Sequence, residues 1–409
     1  MTALEDARIV LGVTGGIAAY KAIEISRRLV DAGAHVVPVL TEGAERFVGR
    51  TTFDALASEK VQTSLWDETS PIPHTTLGQT ADLIVVAPAT ARLLADYRMG
   101  RSDDLLTATL IATRAPVIIA PAMHTEMWEH PAVQENLSVL RERGVIVVDP
   151  EPGRLAGGDI GHGRLAAPAT VVAHAERVLA EDDLAGSHVV ITAGGTREPI
   201  DPVRVISNRS TGKQGYALAQ SAWARGAKVT LISTADREPP VGVDVVPVQT
   251  AAEMEHAVMA VRDADVIVMA AAVADYRPAN PATSKIKKSD GAVPEIALEK
   301  THDFLVDLGQ SKPDGQVLVG FAAETDNLID NAKGKLERKS LDLIVANDVS
   351  APGVGFAHDT NEVTILFGTG AKRDVSLGTK RAIADAIFDA VVEVRAVSYT
   401  HLRAHETLR

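Results

Sequence analysis

The sequence predicts two α/β domains in succession, each with a mainly parallel β-sheet covered by helices on both faces. The chain has 409 residues. A single domain commonly contains about 100–200 residues, so two separate cores are expected. Short apolar runs rich in Val and Ile recur with spacers long enough for helices, as in doubly wound proteins. In the first half, these runs occupy residues 8–13, 36–40, 83–86, 117–120 and 145–148.

The segment between the first two runs has helical periodicity. Residues 18–32 place Ile23, Leu29 and Val30 near one face, and Gly33 follows at a position that often ends a helix. Runs that are apolar throughout are typical of strands buried on both faces of a parallel sheet. The repeated β-α-β unit therefore predicts a doubly wound domain.

The second half restarts this pattern after a predicted closing helix and an acidic linker in residues 172–185. We therefore predict domains at 1–185 and 186–396. From Val397 the chain abandons the preceding amphipathic helix, and 397–409 is interpreted as a non-native tail. The apolar runs of the second half occupy residues 189–192, 229–232, 245–248, 266–270, 317–321, 343–346 and 363–367.

Composition and charge exclude several classes of function. The net charge of -13 opposes binding to nucleic acid or to anionic membranes, so phosphorylated ligands require local positive sites. The absence of cysteine excludes disulfides, thiolate metal sites and a cysteine nucleophile. No export signal and no apolar run of about 18–20 residues is visible, which predicts a cytoplasmic protein without a nucleic-acid or membrane partner.

A glycine-containing turn follows the first predicted strand. The order Gly12-Val-Thr14-Gly15-Gly16-Ile17 places backbone N–H groups at the start of a helix, where they can bind a phosphate. The spacing differs from the G-x-G-x-x-G dinucleotide motif, and glycines here also suit an ordinary tight turn. The motif alone leaves both interpretations open.

Further polar segments follow later strands of the first half. Each has a structural alternative: core packing, a satisfied loop histidine or a solvated helix cap. Because they follow predicted parallel strands, we expect them at the edge of the sheet where open α/β proteins bind ligands. They are Pro71-Ile-Pro-His74, Ala87-Pro88-Ala89-Thr90, Ser102-Asp103-Asp104 and Pro121-Ala122-Met123-His124-Thr-Glu-Met-Trp128.

In this order the motifs resemble the FMN-dependent cysteine decarboxylase family. The resemblance implies a flavodoxin-like domain that binds FMN and removes carbon dioxide from phosphopantothenoylcysteine. In such a reaction the flavin oxidises the CH2–SH unit and thereby creates an electron sink for decarboxylation. The implied FMN-binding residues are Gly15, Gly16, Ile17, Thr41, Ala87, Pro88, Ala89, Thr90, Ser102 and Met123.

Two implied catalytic histidines and one departure accompany this resemblance. His74 suits proton removal because its ordinary pKa is about 6.5. His124 replaces a family asparagine, and either side chain can donate a hydrogen bond to a substrate carboxylate. Residues 155–166 resemble a substrate clamp, but Gly157 stands where the family has cysteine. The proton donor therefore stays open between water, His162 and Asp159.

The second half carries glycine, serine and lysine motifs suited to a triphosphate. Residues 192–201 follow its first strand, and Asn208-Arg-Ser-Thr-Gly-Lys-Gln-Gly215 opens the next helix without Walker A order. Lys335 and Lys339 stand one helical turn apart and suit one phosphate group, although a solvated charged face is the alternative.

Together with residues 341–350, these motifs resemble bacterial CTP-dependent phosphopantothenate–cysteine ligases with a Rossmann-like domain. The pantothenate carboxylate of 4'-phosphopantothenate attacks the α-phosphate of CTP, and the amine of L-cysteine then displaces CMP. Asn208 is implied to act on the acyl-cytidylate, and Mg²⁺ to neutralise the triphosphate through ligands that the sequence does not identify. The implied CTP-binding residues are Met269, Ala270, Ala271, Asp275, Lys285, Asp303, Phe304, Leu305, Val306, Phe321, Lys335 and Lys339.

The two resemblances in this order are those of bacterial fusion enzymes of coenzyme A biosynthesis. They imply a homo-oligomer with trimers of the FMN domain and dimers of the ligase domain. A non-catalytic flavoprotein that regulates a protein partner is the alternative. A nicotinamide oxidoreductase is a weaker one, because Thr41 stands where that class has an acid.

Overall fold

A computed structural model describes residues 3–66, 71–287, 295–324, 327–348, 355 and 358–406, with only the backbone described at 324, 348 and 397–406. The chain divides into two compact units, Met1–Glu181 and Asp182–Arg409. Each unit is considered by itself. The predicted division at 185/186 concerns the same part of the chain and stays a prediction.

The first unit contains a five-stranded parallel sheet with the order β2-β1-β3-β4-β5. This order is that of flavodoxin-like proteins and confirms the predicted fold class. A separate antiparallel hairpin, β6 and β7, follows the sheet. The strands are β1 (Arg8–Val13), β2 (His35–Leu40), β3 (Leu83–Ala89), β4 (Val117–Pro121), β5 (Ile146–Val147), β6 (Glu151–Arg154) and β7 (Ile160–Arg164).

Helices cover both faces of this sheet, which explains why its strands are apolar throughout. Along β1, Ile9 and Leu11 belong to one buried cluster and Val10 to the other, as period-two alternation requires. Two 3-10 turns, Ile17–Ala19 and Ala44–Arg46, follow β1 and β2. The helices are α1 (Tyr20–Asp31), α2 (Arg50–Leu56), α3 (Pro73–Thr80), α4 (Ala91–Met99), α5 (Leu105–Ala112), α6 (Thr125–Trp128), α7 (Pro131–Glu142) and α8 (Pro168–Leu179).

The second unit contains an eight-stranded sheet with the order β12-β11-β8-β13-β16-β17-β18-β19. The first six of these strands are parallel and follow Rossmann order, which confirms the second predicted fold. β18 and β19 add antiparallel strands at one edge, and β19 has no apolar run that predicts it. The strands are β8 (His188–Ala193), β9 (Arg197–Pro199), β10 (Val205–Ser207), β11 (Lys228–Ser233), β12 (Asp244–Pro247), β13 (Val266–Met269), β14 (Tyr276–Pro278), β15 (Leu298–Lys300), β16 (Val317–Glu324), β17 (Leu343–Asp348), β18 (Thr360–Phe367) and β19 (Lys372–Thr379).

The second sheet is also covered on both faces. One core contains side chains of α9 and α13, and the other contains side chains of α10, α11 and α12. Within the described part of the chain, no helix combines the length and apolar character needed to cross a membrane. The helices are α9 (Lys213–Ala224), α10 (Ala251–Met259), α11 (Phe304–Gln310), α12 (Leu328–Arg338) and α13 (Lys380–Glu406).

Helix α13 continues past Val397 to Glu406, so its backbone does not change where the composition changes. Residues 407–409 lie outside the described residues. The interpretation of 397–409 as a non-native tail stays a prediction.

Candidate active sites

The turns after β1 and β3 are joined by a buried threonine. Thr14 Oγ1 donates a hydrogen bond to the carbonyl oxygen of Pro88 over 2.7 Å and accepts one from the N–H of Thr90 over 3.1 Å. Both partners lie in the predicted Ala87–Thr90 motif. The geometry therefore brings two separate sequence motifs to the same edge of the sheet.

Gly15 allows the turn after β1 to approach the turn after β2. A Cβ atom on Gly15 would lie 2.7 Å from the carbonyl carbon of Gly43, which is too close for any side chain. On Gly16 the nearest heavy atom would be the Thr90 methyl carbon at 3.7 Å, an ordinary contact. Gly15 is thus required by backbone packing, whereas Gly16 is not.

A cavity of about 670 Å³ lies beside these turns. Its lining combines the glycine turn, the start of α4, the segment after β4 and the β6–β7 hairpin. Met127, from the predicted Pro121–Trp128 motif, also lines it. Tyr20, Lys21 and Arg154 line it as well and were not predicted as site residues. The predicted residues that line it are Gly15, Gly16, Ile17, Thr90, Met123 and His124.

The other predicted residues of this unit do not line the cavity. Ala87, Pro88 and Ala89 are buried in β3, where the Pro88 carbonyl serves the Thr14 contact. Thr41 begins the turn after β2, and its N–H donates to the Val13 carbonyl over 3.1 Å. Their roles toward a flavin remain predictions.

Ser102 and His74 also lie outside this lining. Ser102 is exposed before α5, and the neighbouring Asp104 caps that helix by accepting a hydrogen bond from the Thr107 N–H over 2.8 Å. His74 lies in the first turn of α3 and is partly buried. Its Nδ1 atom is buried and has no hydrogen-bond partner among the described residues.

The β6–β7 hairpin packs on the segment that follows β4. The Met123 N–H donates to the Gly163 carbonyl over 3.0 Å, and Thr125 Oγ1 donates to the His162 carbonyl over 2.8 Å. Gly163 has φ +134°, and a Cβ atom there would lie 2.1 Å from the Met123 oxygen. Only glycine therefore fits at position 163.

His124 lies between two carboxylates where these segments meet. Its Nδ1 atom is hydrogen-bonded to Glu126, and its Nε2 atom lies 3.2 Å from Asp159 Oδ2 in the hairpin turn. Both hydrogen bonds raise the pKa of His124 above its ordinary value, and the one to Glu126 has the larger effect. The imidazolium form is favoured by both partners.

Cationic side chains complete the lining of this cavity. Lys21 Nζ donates to the Leu165 carbonyl over 3.0 Å, and burial lowers the pKa of this amine. Arg164 pairs with Glu151 over 2.7 Å. Together with Arg154, they provide local positive charge in an acidic chain. Lys21 follows the glycine turn within one helical turn, which is a signal that sequence reasoning could have used.

The second unit has a cavity of about 600 Å³ at the carboxyl ends of its parallel strands. Most residues of the predicted CTP set line it. Lys285 and Val306 do not, and neither does Asn208. The predicted residues in the lining are Met269, Ala270, Ala271, Asp275, Asp303, Phe304, Leu305, Phe321, Lys335 and Lys339.

Two buried threonines hold the turn after β13 that forms one wall of this cavity. Thr192 Oγ1 accepts a hydrogen bond from the Ala271 N–H over 3.0 Å, and Thr196 Oγ1 accepts one from the Ala274 N–H over 2.9 Å. Asn208 donates through Nδ2 to the Ala272 and Val273 carbonyl oxygens, each over 3.2 Å. Asn208 thus braces this wall from outside the lining.

The predicted lysine pair lies at the end of α12. Lys339 Nζ lies 2.8 Å from a carboxylate oxygen of Asp303, so its charge is already partly compensated. Arg338, which stands between the two lysines in the sequence, lines the same cavity. The segment therefore places three cations at one wall.

Lys285 lies on a segment that a buried carboxylate anchors. Asp201 accepts hydrogen bonds from Arg204 Nε over 2.9 Å and from the Ile286 N–H over 3.1 Å. The hydrogen bond from Arg204 has the largest effect, and together these contacts hold the pKa of Asp201 well below its ordinary range. Lys285 itself is exposed next to this anchor.

The predicted motif from Asn208 to Gly215 contributes Lys213 to the second cavity, where it pairs with Asp359 over 2.6 Å. Other lining residues were not predicted from sequence. Lys380 begins α13, donates to the Gly355 carbonyl over 3.2 Å, and has a pKa lowered by burial. Lys300 is the last residue of β15, and His302 lies two residues further along the chain; both residues line the cavity. Lys300 and Lys380 stand in no motif and reach the cavity only through tertiary folding.

Among the described residues, no group of three or more His, Cys, Asp or Glu side chains is arranged to hold a metal ion. No ligands of Mg²⁺ are therefore assigned among these residues.

A flavodoxin-order unit followed by a Rossmann-order unit, each with a cavity beside its strand ends, defines the class of two-domain α/β ligand-binding proteins. The Flavoprotein family matches residues 1–179. The family described as DNA/pantothenate metabolism flavoprotein C-terminal domain matches residues 184–394.

Relatives match nearly the whole chain. The coenzyme A biosynthesis bifunctional protein CoaBC of Mycobacterium bovis is 48% identical over 94% of this chain and 96% of its own length. The protein of the same name from Bacillus subtilis is 47% identical over 97% of this chain and 98% of its own. A crystal structure of the C-terminal domain of a CoaBC protein is 39% identical, covers 52% of this chain and 98% of its own, and has a TM-score of 0.44.

The chain belongs to the family of bifunctional coenzyme A biosynthesis proteins and is an enzyme. Relatives that match both units do not favour the alternative of a non-catalytic regulatory flavoprotein, nor that of a nicotinamide oxidoreductase.

Proposed function

We propose that this protein converts 4'-phosphopantothenate to 4'-phosphopantetheine in two reactions. The second unit ligates L-cysteine to 4'-phosphopantothenate with CTP, and the first unit decarboxylates the resulting 4'-phosphopantothenoylcysteine. The observation that carries this proposal is the likeness over both units to bifunctional coenzyme A biosynthesis proteins. Each unit has its own cavity, which supports the proposal of two separate reactions.

The lining of the first cavity fits FMN. Gly15, Gly16 and Ile17 would hold its phosphate with backbone N–H groups at the start of a helical segment, while Lys21 adds positive charge. Thr90 and Met123 would line the space for the ring system. When bound, FMN supplies the reversible oxidation of the CH2–SH unit on which decarboxylation depends. Thr41, Ala87, Pro88, Ala89 and Ser102 would contribute through their backbone or from outside the lining.

His74 gives this proposal an oligomeric component. We place it as the base that removes a proton during substrate oxidation, yet it does not line the cavity of its own unit. A neighbouring copy of the first unit would therefore supply His74. This arrangement requires a homo-oligomer of the first unit; trimers of that unit and dimers of the second are proposed from the family likeness alone.

The second cavity suits acyl activation by CTP. Lys213, Lys335, Arg338 and Lys339 would stabilise the triphosphate charge, with Mg²⁺ as the counterion. Asn208, through the wall after β13, would orient the acyl-cytidylate while the cysteine amine attacks it. Lys285 and Val306 lie outside the lining, and their roles toward CTP stay proposals that rest on the family likeness. We place this activity in the cytoplasm.

Two measurements on the purified protein test this proposal. Its absorbance spectrum should be that of a flavin, and heat denaturation should release FMN. CMP should form from CTP only when 4'-phosphopantothenate is present, and amide should form only when L-cysteine is added. A colourless protein, or one that produces no CMP with both substrates, would contradict it.

A further inference from the structure

Gly157 lies at the tip of the β6–β7 hairpin and faces His124. A Cβ atom on Gly157 would lie 3.1 Å from Asp159 Oδ2 and 3.6 Å from His124 Nε2. A side chain at position 157 would thus contact the Nε2 edge of the His124 imidazole. Nε2 also lies 3.2 Å from Asp159 Oδ2, an exposed carboxylate that holds this edge of the imidazole beside position 157.

The proposed decarboxylation requires a proton at carbon. When carbon dioxide leaves the oxidised substrate, the electron pair remains on the substrate as an enethiolate. A proton must be added to the carbon that carried the carboxylate before the thiol can be restored. The chain contains no cysteine, so a thiol cannot supply this proton.

Among the basic side chains that line this cavity, His124 is best suited to donate. Guanidinium groups such as Arg154 and Arg164 do not release protons near neutral pH. Lys21 Nζ donates to the Leu165 carbonyl and, unlike His124, does not come within 4 Å of a Cβ atom at position 157. His162 does not line the cavity. Asp159 accepts a hydrogen bond from His124 and is therefore placed to orient that imidazole.

We infer that His124 donates, through Nε2, the proton that converts the enethiolate to the thioaldehyde, and that Asp159 is its positioning residue. This inference rests on the proposed decarboxylase function. The Nε2–H group first exchanges its hydrogen bond to the exposed Asp159 carboxylate for contact with the substrate. The new C–H bond then forms at the former carboxylate-bearing carbon as the N–H bond breaks, leaving neutral His124. The hydride removed during oxidation and one solvent proton then complete the thiol, and another solvent proton restores the imidazolium.

The charged surroundings of His124 support this role. Glu126 is hydrogen-bonded to Nδ1 and Asp159 to Nε2, while Lys21, Arg154 and Arg164 line the same cavity. Because the two carboxylates raise the pKa of His124, the imidazolium is more populated at neutral pH than for an isolated histidine. Loss of the Asp159 carboxylate should therefore lower the pKa of His124.

The test uses anaerobic single turnover of the FMN-loaded protein with 4'-phosphopantothenoylcysteine. His124→Asn retains a hydrogen-bond donor for a substrate carboxylate but has no transferable proton. Carbon dioxide should still form, the enethiol should accumulate, and phosphopantetheine should fall by about 100-fold or more. His162→Asn, on the same hairpin but outside the cavity, is the matched control and should complete the turnover.

A second variant restores the donor by other chemistry. His124→Asn combined with Gly157→Cys should recover phosphopantetheine formation, because a thiol at position 157 would lie beside the vacated imidazole. The nearest atom to its Cβ belongs to the flexible Asp159 side chain, so the substitution should fold. Histidine NMR of the resting protein gives a readout other than activity: Asp159→Asn should lower the pKa of His124.

The outcomes separate this inference from the function on which it rests. Complete turnover by His124→Asn would overturn the donor role, as would enethiol accumulation that Gly157→Cys leaves unchanged. Loss of carbon dioxide release in His124→Asn would assign His124 to an earlier step and also overturn the inference. No carbon dioxide from the unsubstituted protein would instead reject the proposed decarboxylase function.

Discussion

The buried carboxylate of Asp201 accepts a hydrogen bond from the backbone N–H of Ile286 over 3.1 Å. This contact joins the hairpin of β9 and β10 to the segment that carries Lys285. Because Arg204 donates to the same carboxylate, one side chain fixes two parts of the second unit.

Asp201→Asn should loosen this segment and make unfolding less sensitive to acid. The pKa of Asp201 is lowered in the folded protein, so its stabilising contribution is present above the unfolded value of about 3.9. That contribution declines as pH falls below this value. The melting temperatures of the unsubstituted protein and of Asp201→Asn should be measured from pH 6 to pH 3. The difference between them should narrow toward low pH. A constant difference would contradict the assignment.

Lys285→Gln should raise the KM for CTP and leave decarboxylation unchanged. The substitution removes an exposed positive charge that we propose contacts CTP, whereas decarboxylation is assigned to a unit with its own core. Ligation and carbon dioxide release measured separately test this expectation. Lys333→Gln, exposed on α12 and outside the cavity, is the matched control. Equal loss of both activities would indicate a structural role for Lys285.

Asn208→Asp should slow ligation after CTP activation. A carboxylate at this position cannot donate to the carbonyl oxygens of Ala272 and Val273 and repels them instead. It also places negative charge near the acyl phosphate. Rapid-quench experiments should detect an accumulated acyl-cytidylate. Ligation at the normal rate without such accumulation would refute this role.

Gly15→Ala should destabilise the first unit and reduce its FMN content. The added Cβ would lie 2.7 Å from backbone of Gly43, and such overpacking costs about 1–3 kcal/mol in free energy of unfolding. Gly16→Ala is the control, because its Cβ would make an ordinary contact at 3.7 Å and should change stability by only about 0.5 kcal/mol. Chemical denaturation and flavin absorbance measure both effects. Equal stability of the two variants would contradict this packing argument.

His74→Asn should abolish decarboxylation while FMN binding and ligation persist, because a base is removed with little change in volume. If His74 acts in the cavity of a neighbouring copy, oligomers that mix His74→Asn chains with His124→Asn chains should regain activity. In such oligomers, some cavities belong to a His74→Asn chain and so retain His124, while the neighbouring His124→Asn chain supplies an intact His74. Mixed oligomers as inactive as either parent would exclude this arrangement.

The parallel strands and the two glycine turns could be predicted because both follow local rules of sequence. Strands buried on both faces require continuous apolar runs, and the turn containing Gly15 follows the first of them. The β6–β7 hairpin is rich in glycine and polar residues, so periodicity gave no signal for it. The resemblance of residues 155–166 to a substrate clamp concerns their role and did not predict the hairpin.

Site residues contributed by distant segments were harder to predict. Lys380 begins a helix that a local pattern identifies only as amphipathic, and its position at the second cavity depends on the tertiary fold of the second unit. The interaction of His124 with Asp159 likewise depends on how the hairpin packs after β4. Such long-range contacts are not encoded in residue spacing.

One labelling measurement tests the central claim that this single chain both ligates and decarboxylates. The purified FMN-loaded protein is incubated with 4'-phosphopantothenate, Mg²⁺ and L-cysteine labelled in its carboxyl group. Labelled carbon dioxide and phosphopantetheine should appear in equal amounts, and only when CTP is added. Release of labelled carbon dioxide without CTP, or phosphopantothenoylcysteine as the sole final product, would contradict the account.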